Sequence, residues 1–407
     1  MGKFDKLFGE FGEFGEDDSL GASVREPARV PVRGLSGGSW VDDGVYRIDS
    51  RYPLGSLHGE KVLARPEEMG VMDIFGARGS VVFLDLETTG LAGGTGTYAF
   101  LCGLGFSSGS DFTVVQFFLE GPSKESRWLS TIDSVIPEDS CLVTYNGASF
   151  DLPLLRARHV LARSRPVWDG IPHIDLLRQT RAFYRDRLES CSLGSMERNI
   201  IGVTRHGEDI PGRLIPEIYM QYLKTRDASP LEGVFYHNEI DIVSLAALYC
   251  HVARLMEGMS QDGADLVKAG DIWMAKGERG RALSLWDKAC EMSQARAEAF
   301  ARKGFMAKRA KDFKAAKDAF LSALGVLSGE SRRAADVRVY VMLEELAKIE
   351  EHRFKSPESA MSHVETALDW LRRNRCLLGN AFAGMNRSMA RRAERLMDIM
   401  KKQRGSR

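Results

Sequence analysis

The chain has 407 residues, 44% hydrophobic and 28% charged, which is the profile of a soluble globular protein and too long for a single small domain. Lys plus Arg and Asp plus Glu number 56 each, so the formal net charge is zero and only local patches could argue for a nucleic-acid partner. Six scattered cysteines (Cys102, Cys141, Cys191, Cys250, Cys290 and Cys376) form no CxxC pair, which excludes a recognisable zinc motif and suits a reducing compartment.

Residues 1–38 read as a flexible N-terminal arm. FDKLFGEFGEFGEDD repeats Phe, Gly and acids, and more glycine follows at Gly34, Gly37 and Gly38, a composition that opposes a packed core. The phenylalanines allow a second reading as a short docking motif. No apolar run is long enough to span a bilayer and no signal-peptide core is present, so no membrane is expected and a cytoplasmic location is. Residues 40–79 turn more globular, with a plausible strand at 46–48 and a loop at 53–59. They are expected to pad the edge of the sheet that follows.

The sheet is predicted to begin with the apolar run Val81, Val82, Phe83, Leu84, which suits a buried central strand of a mixed sheet. Residues 97–106 and 112–118 complete a three-stranded meander. A helix at 126–136, a short strand at 141–145 and a helix at 152–161 follow. Residues 173–176 form a brief strand-like piece. Residues 181–231 are helical with breaks at Gly194, Gly202, Gly212 and Pro216, and 232–254 is one long helix. These elements define an α/β domain over residues 39–260.

After about residue 261 the composition shifts towards Ala, Lys and Arg. Ala282, Trp286 and Ala289 recur 34 residues later as Ala316, Phe320 and Ala323, and Gly270 recurs as Gly304. That period, with small and aromatic residues at fixed places, is the signature of tetratricopeptide (TPR) repeats. A looser third copy ends in Ala360, Val364 and Ala367. Residues 261–371 are therefore expected to be an all-α, TPR-like domain that docks a protein partner. Residues 372–407 form a basic helical tail, a possible holder of the nucleic-acid backbone.

Two acids interrupt the first strand, Asp85 and Glu87. Alternation puts i and i+2 on one face, and paired carboxylates on a rigid element usually hold a cation between them. Hard divalent ions want such oxygen ligands. Asp151, at a helix start, and Asp241, on the long helix, are candidates to complete a set of four. Four such acids can hold two divalent ions and support phosphodiester hydrolysis. A base is also needed, and His237 shares a helix face with Asp241 at i, i+4.

LDLETTG, NGASFD and HNEID resemble the three exonuclease motifs of the DEDD family on an RNase H-like fold. Residues 81–254 are also similar to the YprB-type branch of bacterial exonucleases, through GGTGTYAF, SLGSMERNIIG and DIPGRLIPEIYMQY. The resemblance implies that Asp85, Glu87, Asp151 and Asp241 bind two Mg²⁺ or Mn²⁺ ions, and that single-stranded DNA or RNA is degraded from 3′ to 5′. The family's two large subclasses place Tyr four residues before the last Asp, or His five before it. Here His237 stands at four and Tyr236 at five, so either could be the base, and the shared face favours His237. Thr88, Thr89 and Asn146 are candidate contacts to the terminal nucleotide. Asp175 is a possible extra metal ligand, and His173 has no assigned role. The competing function is a scaffold in which the TPR-like domain binds a protein and the nuclease-like domain is inactive. Four acids clustered in a core argue against it.

Overall fold

The computed structural model describes residue 32 and residues 34–69, 79–90, 96–205, 210–329 and 336–405. Most of the expected N-terminal arm, and Gly93 and Gly94 of the glycine string, lie outside the described residues.

The strands run β1 (Gly38–Asp42), β2 (Val45–Pro53), β3 (Leu57–His58), β4 (Lys61–Val62), β5 (Val81–Thr88), β6 (Ala99–Ser108), β7 (Asp111–Leu119), β8 (Cys141–Thr144) and β9 (His173–Asp175). Seven of them form one sheet in the order β1-β2-β7-β6-β5-β8-β9, and β3 pairs with β4 apart from it. The meander β5-β6-β7 is antiparallel, whereas β8 and β9 add to β5 in parallel. Residues expected only to pad the sheet instead extend it: β2 pairs with β7 from Val45↔Leu119 to Pro53↔Asp111, and β1 covers β2. The β-rich stretch around Tyr46 had the right residues, but its length is set by nine backbone pairings with β7, a long-range partner. Val32 and Leu35 already pack against the domain, ahead of the boundary expected at residue 38.

The helices of this part are α1 (Glu125–Asp133), α2 (Asp151–Leu161), α3 (Leu176–Tyr184), α4 (Leu193–Met196), α5 (Ile215–Thr225) and α6 (Glu232–Met256). Alternation along β5 assigns the two faces of the sheet. Val81 and Phe83 share a core with Ile242, Val243 and Ala246 of α6. Val82, Leu84 and Leu86 share another with Trp128 of α1, Leu155 of α2 and Tyr219 of α5. Asp85 and Glu87 continue the Val81–Phe83 side and so face α6.

The regular elements of the remaining described residues are helices: α7 (Gly263–Ala275), α8 (Arg279–Glu291), α9 (Arg296–Arg309), α10 (Phe313–Gly329), α11 (Val337–Ile349), α12 (Pro357–Arg373), α13 (Arg375–Leu378) and α14 (Asn380–Gly405). The recurring residues make the same contact twice. A Cβ on Gly270 would lie 2.4 Å from the Trp286 ring, and one on Gly304 would lie 2.5 Å from the Phe320 ring. Each glycine lets the aromatic of the next helix close onto its own helix, and Ala282, Ala289, Ala316 and Ala323 are fully buried beside them. No flexible joint separates the two parts: Trp273 of α7 donates to the Met256 carbonyl at 2.9 Å, and its side chain belongs to the core under α6. The basic C-terminal stretch is packed as well. Met389 and Leu396 of α14 share a core with Ala360, Val364 and Ala367, while Arg392 and Arg395 pair with Glu351. No described helix is long and apolar enough to cross a membrane.

Candidate active site

β5 delivers Asp85 from the middle of the sheet, partly buried beneath α6. Its carboxyl is pushed well above the usual carboxylate range, first by burial and then by the negative charges of Asp241, Glu87 and Asp151. The other three acids named from the sequence therefore all lie within electrostatic reach of Asp85, although they come from the end of the strand and two helices. Asp151 occupies the first turn of α2, and burial followed by the charge of Asp175 pushes its carboxyl up to about 7. Burial also raises Asp241, against the opposing pull of His237 and Arg205. Clustered anions of this kind invite a cation.

The donor set is made of carboxylate oxygens alone, which fits a hard divalent ion. Among the described residues, no three His, Cys, Asp or Glu side chains converge closely enough to hold an ion as they stand. Asp241 already has a cationic partner. Arg205 donates to its Oδ1 and also grips Glu197 side-on, with Nε 2.9 Å from Oε2 and Nη2 2.7 Å from Oε1. Burial works against this guanidinium, but Glu197 and Asp241 together raise its pKa further. Glu197 is buried on a π turn (Glu197–Ile201) that continues α4. It accepts from Ser244 at 2.6 Å, and Ser244 in turn accepts from His58 at 2.8 Å. The string SLGSMERNIIG thus supplies an anchor for Arg205.

His237 and Asp241 lie side by side, with Nε2 3.6 Å from Oδ2, as the i, i+4 spacing requires. Arg205 Nη1 is 3.0 Å from His237 Nδ1. Arginine can only donate, so Nδ1 is the acceptor and a neutral His237 ring carries its proton on Nε2. Tyr236 lies elsewhere on α6, within electrostatic reach of Tyr52, whose hydroxyl donates to Glu239 at 2.5 Å.

Asn238, one residue on, is wholly buried and donates to the Asp85 carboxylate at 2.9 Å. Gln116 orients it, donating to its Oδ1 at 3.0 Å and to the Phe235 carbonyl at 2.8 Å.

Thr88 donates to the Gly90 carbonyl at 3.0 Å. Thr89 accepts from the Tyr98 backbone N–H at 3.2 Å. Both hydroxyls brace the turn after β5. Asn146 sits in the left-handed region at φ 67°, which asparagine tolerates better than most residues, and its N–H donates to Asp175 at 2.8 Å. Asp175 also caps α3 through Leu177 N–H at 3.1 Å and accepts from Ala148 N–H at 3.3 Å. It ties down the NGASFD loop that presents Asp151. His173 bonds Thr144 across β8 and β9 at 2.8 Å. Glu197, Arg205 and Asn238 were not singled out from sequence. Asn238 lies inside HNEID, where its position one residue after His237 was the available signal.

Residues 82–253 match the model of the RNase H superfamily. This part of the chain has an RNase H-like fold. Over 215 residues the chain is 36% identical to the uncharacterized protein YprB of Bacillus subtilis (strain 168), a match covering 50% of this chain and 52% of that protein. The chain thus spans about half the length of the curated relative it matches. The match suggests nucleic-acid hydrolysis, and the sheet with helices on both faces agrees with the fold.

Proposed function

We propose that the protein is a metal-dependent 3′–5′ exonuclease acting on single-stranded DNA or RNA. The observation that carries this reading is the convergence of Glu87, Asp151 and Asp241 on Asp85 within a region that matches the RNase H superfamily. In this reading these four residues hold two Mg²⁺ or Mn²⁺ ions, which would activate a water and stabilise the leaving oxygen. Asn238 and Gln116 fix the Asp85 carboxylate, so one ligand is positioned before any ion arrives. Asp175 holds the loop that carries Asp151. His237 takes the proton from the attacking water, and its adjacency to Asp241 favours it over Tyr236. The turn braced by Thr88 and Thr89, together with Asn146, seats the terminal nucleotide.

The helical hairpins from residue 263 onward are read as TPR-like, on the repeated contact of glycine with aromatic at a 34-residue spacing. Their role is to dock a protein partner. The unpaired cysteines suit a cytoplasmic setting.

The test is digestion of 3′- and 5′-end-labelled single-stranded DNA and RNA by the purified chain with Mg²⁺, Mn²⁺ or EDTA. Stepwise loss from the 3′ end, abolished by EDTA and by Asp85→Asn, is expected. Cleavage that survives Asp85→Asn would overturn the site, and no cleavage under any condition would favour the scaffold.

A further inference from the structure

Arg205 binds two groups that the proposed reaction needs, the Asp241 carboxylate and the His237 imidazole, and a third that it does not, Glu197. A guanidinium on a carboxylate oxygen weakens that oxygen as a metal ligand, because the arginine's charge repels the incoming ion. A base whose Nδ1 accepts from arginine, and whose Nε2 carries the proton, has no nitrogen ready for a proton from water. Glu197 differs from the other two partners. It is buried on the π turn and held by Ser244, so it is a fixed anchor. The guanidinium has one edge on the anchor and another on the site. A cavity of about 460 Å³ borders the group, lined by Glu197, Arg198, Thr204, Arg205, His237 and Asp241 among others. It gives the guanidinium room to leave Asp241.

We propose that Arg205 is a positioning residue that stands in for a divalent cation at Asp241 in the metal-free protein, and that it gives up Asp241 and His237 when a metal binds while keeping Glu197. The inference rests on the proposed metal-dependent reading of the site. Three physical points support it. The clustered acids need positive charge when no metal is present, and Arg205 supplies it on the Asp241 side. A guanidinium and a divalent ion repel, so binding of either at Asp241 opposes binding of the other. Glu197 keeps the arginine's charge neutralised after the exchange, so the released group is not stranded in the domain. The exchange also frees His237 Nδ1 at the moment when the metal is in place, which couples readiness of the base to loading of the site.

The test is Mn²⁺ binding to the full chain without substrate, followed by calorimetry, for wild type, Arg205→Gln and Asp85→Asn, with thermal unfolding of each protein with and without Mn²⁺. Removing a competing positive charge beside the ion should tighten Mn²⁺ binding by roughly tenfold or more. The metal-free Arg205→Gln protein should melt below wild type, and Mn²⁺ should raise its melting temperature by more than it raises that of wild type. A merely structural arginine predicts the reverse for affinity, because a loosened site binds metal less well. Should Arg205→Gln not fold, Arg205→Lys serves. It keeps the charge but cannot bridge Glu197, His237 and Asp241 together, and a smaller tightening is expected. Unchanged or weaker Mn²⁺ binding by the arginine variants, with binding lost in Asp85→Asn, overturns the exchange and leaves the metal site standing. No Mn²⁺ binding by wild type overturns the metal-dependent reading itself, and the exchange with it.

Discussion

Asn238 donates through its side-chain amide to the Asp85 carboxylate at 2.9 Å and to the Asp85 carbonyl at 3.3 Å. The two residues stand 153 positions apart, and the contact ties α6 to the centre of the sheet. Room for it is made by Gly103, which pairs with Asp85 across β5 and β6. A Cβ at Gly103 would lie 2.4 Å from Asn238 Oδ1 and 2.9 Å from the Ile242 side chain.

Gly103→Ala should therefore cost about 1–3 kcal/mol through overpacking and lower the proposed nuclease activity with it. Asn238→Ala should cost a similar amount by removing the donor to the Asp85 carboxylate and one of the two acceptors of Gln116, since an unmet buried polar group is worth about 1–3 kcal/mol. Urea unfolding of both variants checks the pair. Wild-type stability in Gly103→Ala would show that α6 shifts freely on the sheet.

Three glycine substitutions probe the helical repeat. Gly270→Ala and Gly304→Ala each gain helix propensity of up to about 1 kcal/mol but push a methyl into Trp286 or Phe320. Both should be net destabilising, by about 1–2 kcal/mol. Gly280→Ala in α8 meets nothing within 4 Å, so it should stabilise by about 0.5–1 kcal/mol. Thermal melts of the three variants decide the matter. Opposite signs at Gly270 and Gly304 would mean that the two contacts are not equivalent.

Stability should fall in acid in part through His251. Its Nε2 shares a 2.7 Å hydrogen bond with the Tyr184 hydroxyl. Its pKa is pushed down to about 4, first by burial and then by Lys61, Arg254 and Arg187. The unfolded chain takes up this proton first as pH drops. The contribution of the neutral ring is complete above about pH 6.5 and is lost as pH falls towards 4. His251→Gln should flatten the stability profile between those values, as measured by denaturant midpoints at each pH. An unchanged slope would assign acid lability to other groups.

The basic C-terminal helix calls for charge reversal rather than deletion. Removing it would uncover Val364 and Ala367, which Met389 and Leu396 help to bury. Arg387 and Arg391 are exposed on α14. If the helix holds the strand backbone, Arg387→Glu with Arg391→Glu, in an Asp85→Ala background, should weaken binding for all sequences. It should also shrink the salt slope by roughly 0.7 for each phosphate that is no longer neutralised. Identical salt titrations for the two proteins would leave α14 to partner docking.

Short-range pattern was enough to read much of this molecule. Alternation in VVFLDLET placed Asp85 and Glu87 on one face of β5, because side chains in a strand alternate whatever the rest of the fold does. The helical repeat angle placed His237 beside Asp241 for the same local reason. The spacing of Gly270, Trp286, Gly304 and Phe320 announced two equivalent helical hairpins, since each glycine is small only where a ring must close on it. Other features are set by partners remote in the chain. The nine pairings of β2 with β7 turn a supposed edge filler into sheet. Arg205 reaches Asp241 across 36 residues, and neither Glu197 nor the π turn that holds it has a periodicity that names its partner. Asp175 looked like a spare ligand because an isolated acid in a sequence carries no sign of which N–H groups it will accept from. In the fold it spends its oxygens on Asn146, Ala148 and Leu177. Packing decides such contacts, because charge and hydrogen-bonding capacity are local while the groups that satisfy them arrive only when distant segments meet.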